Sequence, residues 1–214
     1  MKQRLARGFT LVELLIVIAL LGVIATIVIA AINPIEQANR ASDAGMKADA
    51  SQIVSAVQRY YASHSQFPWQ ATACTGANCT TSSDDVFGFA SADDVAVGIC
   101  GETGIGCKTT ATQGELVAAQ ELQTAFISKS WVGATTVSRL MVGKAAGASS
   151  SVYVCWVPKA NSNRQNLINS AGVSNKMIDI SGFSAAGVPN TTEACTTVSD
   201  ADWAAGNCYE CVPE

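Results

Sequence analysis

The sequence predicts an α+β protein: a long N-terminal helix, apolar in its first half and amphipathic in its second, packed on a small antiparallel β-sheet head. Three observations predict it. Residues 14–32 are an apolar run that holds only Thr26 and the small Gly22 as departures. Residues 34–63 place apolar side chains at three- and four-residue intervals among polar ones. The rest is rich in Gly, Ala, Ser and Thr, with short apolar runs bounded by turn residues.

The apolar run comes first. A helix from Phe9 to Ile32, rising about 1.5 Å per residue, spans roughly 36 Å and exceeds the roughly 30 Å hydrocarbon core of a membrane. Lys2, Arg4 and Arg7 precede it without an acidic counterpart. Cationic flanks stay cytoplasmic, so the expected topology is N-in, C-out. A secretory signal peptide is the plain alternative, but its apolar stretch is normally shorter and free of acid. Glu13 therefore needs a reason, because a carboxylate in lipid costs about 2.5 to 3.5 kcal/mol near a helix centre, and less near its end. It is either paired with a cation or a stray acid that snorkels to the headgroups.

The residues Gly8-Phe-Thr-Leu-Val-Glu13-Leu-Leu-Ile-Val-Ile-Ala-Leu-Leu-Gly22-Val-Ile-Ala closely resemble the class III signal of type IV pilins and of the pseudopilins of type II secretion. The resemblance implies cleavage after Gly8 by a prepilin peptidase, methylation of the new N-terminus at Phe9, and an acid at the fifth mature position, Glu13. It also implies a partner for that acid. When subunits stack with a small axial offset, Glu13 of one meets the Phe9 amine of a neighbour, and a buried charge becomes a buried pair. The fold it implies is pilin-like. The resemblance covers roughly the first quarter of the chain.

Asn33-Pro-Ile-Glu36 reads as a helix break and restart, with Asn33 as N-cap, Pro34 at the first helical position and Glu36 where a capping box places its acid. The rod is expected to kink or loosen just upstream of Pro34. In the family, a stretch between a Gly and a Pro often melts in the filament, and Gly22 with Pro34 brackets such a stretch here. The amphipathic half then runs to about Ser63, carrying Ile35, Ala38, Ala41, Ala48, Ile53, Ala56, Val57, Tyr60 and Tyr61, and Gln66-Phe67-Pro68-Trp69 stops it. The expected organisation is a leader at 1–8, a membrane and filament-core helix at 9–32, its amphipathic half at 33–64 and an extracellular head at 65–214.

Within the head, strands are expected at Val86–Ala90, Val95–Cys100, Thr136–Val142 and Ser151–Val157. A second helix is expected from Gly114 to Ser128, and mobile loops at Ala145–Ser151 and Ala160–Asn166. All eight cysteines lie on the side expected to be exported, which is disulfide territory. Cys74–Cys79 and Cys100–Cys107 staple two loops. The last four pair in one of three ways; Cys195–Cys208 with Cys155–Cys211 closes a tail loop and ties the C-terminus to a strand. The competing reading is a zinc site of Cys208, Cys211, Cys155 and Cys195.

Charge and residue types exclude more than they assign. The chain carries a net charge of -4, and Lys129, Arg139, Lys144, Lys159, Arg164 and Lys176 form no sequence cluster of the kind that neutralises phosphates, so nucleic acid is not the dominant partner. The single histidine, His64, ends the amphipathic helix and has no nucleophile in evident reach, so no catalytic residues and no cofactor are expected. Asp84-Asp85, Asp93-Asp94 and Asp200-Ala-Asp202 match no calcium loop and read as solvated turn acids.

The expected function is that of a pilus subunit serving adhesion, motility or DNA uptake. Its expected partners are copies of itself in a helical homo-polymer, prepilin peptidase, the inner-membrane assembly machinery, and the membrane before assembly. A pseudopilin and a non-polymerising membrane tether are the alternatives.

Overall fold

The computed structural model describes residues 8–31, 33–71, 74, 78–101, 113–134, 138–167, 177–183, 189–190 and 208–213. The chain divides into two units, Met1–Ala38 and Asn39–Glu214. The first contains α1, Leu11–Ala31, and the opening of α2, which runs Pro34–His64. The second takes α2 from Asn39 onward and the whole sheet.

In α2 the apolar period is buried only from Ala50 onward; Ile35, Ala38, Ala41 and Ala48, expected on the same face, are exposed. Ala50, Ile53, Val54, Ala56, Val57 and Tyr60 are buried on one face and enter the main core with Trp69, Phe87, Val142, Val154 and Trp156. Beyond the helix, Pro68–Gln70 form a 3-10 turn. It places Phe67 and Trp69 in a ladder of near-parallel rings, Tyr61–Phe67–Trp69–Phe87, with centroids 4.4, 4.8 and 4.2 Å apart.

The sheet is antiparallel. Its strands are β1 (Phe87–Ser91), β2 (Met141–Lys144), β3 (Val152–Trp156), β4 (Met177–Phe183), β5 (Pro189–Asn190) and β6 (Cys208–Val212), in the order β1-β2-β3-β6-β4-β5. The last strand in sequence is thus central, paired to β3 on one side and β4 on the other. A long helix with an antiparallel sheet is the α+β arrangement predicted.

Several local expectations are corrected. Val95–Cys100 is not a strand: the Asp94 side chain accepts the Ala96 amide, Val95–Val97 turn as a 3-10 helix, and Gly98 at φ 83 ends it. Only Cys100 pairs, in an isolated bridge to Gln113. The helix expected from Gly114 to Ser128 is two pieces, α3 (Glu115–Ala118) and a 3-10 turn at Thr124–Ser128. Gln120 at φ 61 breaks it, and Leu116, Leu122 and Phe126 are buried by the bent path. Of the strand expected at Thr136–Val142, Thr136 and Val137 lie outside the described residues, and Met141 and Val142 belong to β2. Ala160–Asn166 is no loop but the start of α4, Asn161–Leu167. The tail Cys208–Val212, taken only as cysteine-rich, is the central strand β6. Asp93 is not solvated; it is 5% exposed and accepts from the Gly133 amide at 2.8 Å and from the Ser91 hydroxyl.

Candidate processing and assembly site

Phe9 is 86% exposed, and a Cβ built on Gly8 would meet nothing within 4 Å. Among the described residues, no packing thus demands glycine at that position. From Phe9 to Ile29 every large apolar side chain stands exposed. Residues Leu11–Ile29 are long and apolar enough to cross a membrane.

Glu13 has a local partner that sequence reading missed. Thr10 donates to Glu13 Oε2 from its backbone amide and from its hydroxyl, each at 2.9 Å, while the Glu13 amide donates back to Thr10 Oγ1 at 3.2 Å. This is a capping box. Its signal, Thr10-Leu-Val-Glu13, is legible as Thr-x-x-Glu. The carboxylate is therefore held against the first turn of α1 and starts the helix where free amides need acceptors.

Further along α1, a Cβ on Gly22 would also meet open space, and Thr26 returns its hydroxyl to the Val23 carbonyl at 2.7 Å. At the restart, Asn33 Oδ1 accepts the Glu36 amide at 3.2 Å and Pro34 occupies the first position of α2.

In the head, Cys74–Cys79 and Cys155–Cys211 are disulfides. Cys155 and Cys211 stand directly opposite on β3 and β6. Cys100 and Cys208 are disulfide-bonded as well; Cys107 and Cys195 lie outside the described residues. With Cys155 and Cys211 joined and Cys208 bridged, their sulfurs are not the thiolates a zinc site requires.

The remaining candidates are placed as follows. His64 is the last residue of α2, exposed, stacked on Tyr60 at 4.1 Å, with Nδ1 2.8 Å from the Ser63 hydroxyl. Asp84 and Asp85 are exposed turn acids, each accepting a nearby backbone amide; Asp200 and Asp202 lie outside the described residues. Among the cations, Lys129 pairs with Asp49 at 2.7 Å, and Arg164 is buried. Lys144 is fully buried, donating to the carbonyls of Ser83, Ala145 and Gly147 at 2.8, 2.9 and 2.7 Å, with Nζ 5.1 Å from the Phe67 ring centroid. Burial pulls the Lys144 ammonium below its ordinary value, while Asp84 and Asp85 oppose the shift. Lys176 lies outside the described residues.

Residues 3–29 match the family described as the prokaryotic N-terminal methylation motif. The match agrees with the class III prepilin signal of type IV pilins and pseudopilins, a signal that implies processing by prepilin peptidase and assembly into pilus-type polymers. No curated protein and no solved structure matches the chain.

Proposed function

We propose that the chain is the structural subunit of an extracellular type IV pilus, not an enzyme. It is held N-in, C-out in the cytoplasmic membrane until prepilin peptidase cuts between Gly8 and Phe9. The inner-membrane assembly machinery then moves it into a helical homo-polymer. The observation that carries this reading is the uncovered apolar face of Phe9–Ile29, interrupted near its start by one carboxylate at Glu13. Such a surface needs lipid or other apolar helices as its surroundings. Membrane before assembly and neighbouring subunits after it supply both. Glu13 supports the same reading, because an incoming Phe9 amine gives the carboxylate a cation that its own helix lacks. The cross-linked head supports an extracellular location, where disulfides persist.

The test is electron cryo-microscopy and immunogold labelling of filaments sheared from cells. Filaments built from this chain and extending beyond the cell surface are the expected result. Label confined to the periplasm returns the pseudopilin, and label on membrane without filaments returns the non-polymerising tether.

A further inference from the structure

The head holds α2 in two different ways. From Ala50 to Tyr60 the buried residues are the apolar ones of the core, whereas between Asn39 and Asp49 the buried residues are two carboxylates, Asp43 and Asp49. Met46 reaches the core only partly buried.

Asp43 is 3% exposed, and both its oxygens are engaged. Oδ1 accepts the Lys159 amide at 2.8 Å; Oδ2 accepts the Ala160 amide at 2.9 Å and the Asn163 side-chain amide at 2.8 Å. These groups lie at the opening of α4, where backbone amides lack intrahelical partners. One carboxylate on α2 therefore caps a helix 117 residues further along the chain. Arg40 adds a bond from Nε to Ser162 Oγ at 2.7 Å, and Arg164 holds the Pro158 carbonyl at 2.7 Å. Lys47 meets Glu210 of β6 at 3.5 Å.

We infer that residues 39–47 of α2 and the opening of α4, residues 159–164, form a polar clasp that opens as one unit while the apolar core stays folded. On opening, Asp43 and its donors reach water together, so their hydrogen bonds are exchanged rather than left unmade, and the partly exposed ion pair Lys47–Glu210 contributes little. The apolar face from Ala50 onward has no such substitute in water. Residues 39–47 and 159–164 bury no large apolar side chain, and segments with few buried apolar contacts are the ones that open below the global unfolding free energy; Leu167, at the end of α4, belongs to an apolar cluster with Val157 and Tyr209 and stays with the folded head. Asp43 makes the opening concerted, since its charge is tolerated in the interior only while its donors are present, and losing them drives it out to water. Once free, a residue passing from helix to extended chain adds roughly 2 Å of length, so the tether between Ala38 and Ala48 lengthens while Asp49, held by Lys129 and the Trp131 indole, and the core beyond it stay in place. Service as a yielding link under filament tension rests on the pilin reading; the clasp itself does not.

Hydrogen exchange read by mass spectrometry, on the full chain in detergent micelles, tests the clasp without requiring a filament. In the unaltered protein, amides of 40–47 and 159–164 should exchange faster than those of 53–60. Asp43→Asn should speed exchange in 40–47 and 159–164 by about ten-fold or more, and Asn163→Ala by less, with 53–60 and 152–156 unchanged. Val57→Ala, a core control, should speed exchange across the head. The inference is overturned if Asp43→Asn and Asn163→Ala accelerate 53–60 by the same factor as 40–47, or leave 40–47 unchanged.

Discussion

Thr10 holds Glu13 through one oxygen: the amide and the hydroxyl of Thr10 both donate to Oε2, at 2.9 Å each. The residue proposed to draw in a neighbour is thus also the residue that starts its own helix. The two roles separate by substitution. Glutamine keeps the capping acceptor and removes the charge; alanine removes both. If the charge drives assembly, Glu13→Gln and Glu13→Ala should both leave subunit levels in the membrane near normal and collapse filament yield. Losing one member of a buried pair costs about 3 to 5 kcal/mol. Normal filament yield from Glu13→Gln would leave capping as the sole role of the side chain.

The disulfide between Cys155 and Cys211 closes a separation of 56 residues and ties the central C-terminal strand to β3. In the chain-entropy account, a loop of that size contributes about 4 kcal/mol. Replacing both cysteines with alanine should lower the thermal midpoint substantially, and reductant should lower that of the unaltered protein. A chelator should leave it unchanged. A fall with chelator, together with bound zinc by elemental analysis, would show thiolates where bridges are expected.

Two glycines should respond in opposite directions. A Cβ on Gly114 would come within 2.4 Å of the Gly98 backbone, which cannot swing aside as a side chain can. Gly114→Ala should therefore destabilise the head by about 3 kcal/mol. Gly45 lies within α2 with open space around its Cβ position, so Gly45→Ala should stabilise by about 0.5 to 1 kcal/mol. Denaturant melts of both variants check the pair.

How much of this was legible in the sequence depends on range. α1 was readable from the length of its apolar run and α2 from a 3.6-residue period, and the break at Asn33-Pro34 is a local signal. The turn at Val95–Val97 was misread because an apolar run of that length fits strand or turn, and Asp94 and Gly98 settle it. β6 escaped because a central strand of five residues, Cys-Tyr-Glu-Cys-Val, buries side chains without clean alternation. Nor did Asp43 announce its role, since its partners Lys159 and Ala160 lie 116 and 117 residues away. The box at Thr10 and Glu13 was legible but went unread, because the carboxylate already had an explanation in a neighbouring subunit.

Alkaline pH should act through tyrosine. Burial pushes the Tyr209 phenol above its ordinary value, and burial with the Glu115 carboxylate does the same for Tyr60. The folded state thus keeps protons that the unfolded chain releases, so the stability these groups contribute is whole below about pH 10 and is lost as pH rises through their folded values. Lys144, lowered by burial, works in the opposite direction. Comparing Tyr209→Phe with the unaltered protein isolates the tyrosine: the variant should lose less stability between pH 9 and 11. Parallel curves would contradict the assignment.

The most direct test of the account is the N-terminal mass of the protein in filaments sheared from cells. Cleavage after Gly8 by prepilin peptidase predicts a chain that begins at Phe9 with its amine methylated. Finding intact Met1, or a chain cut beyond Ala30, in the assembled material would contradict it.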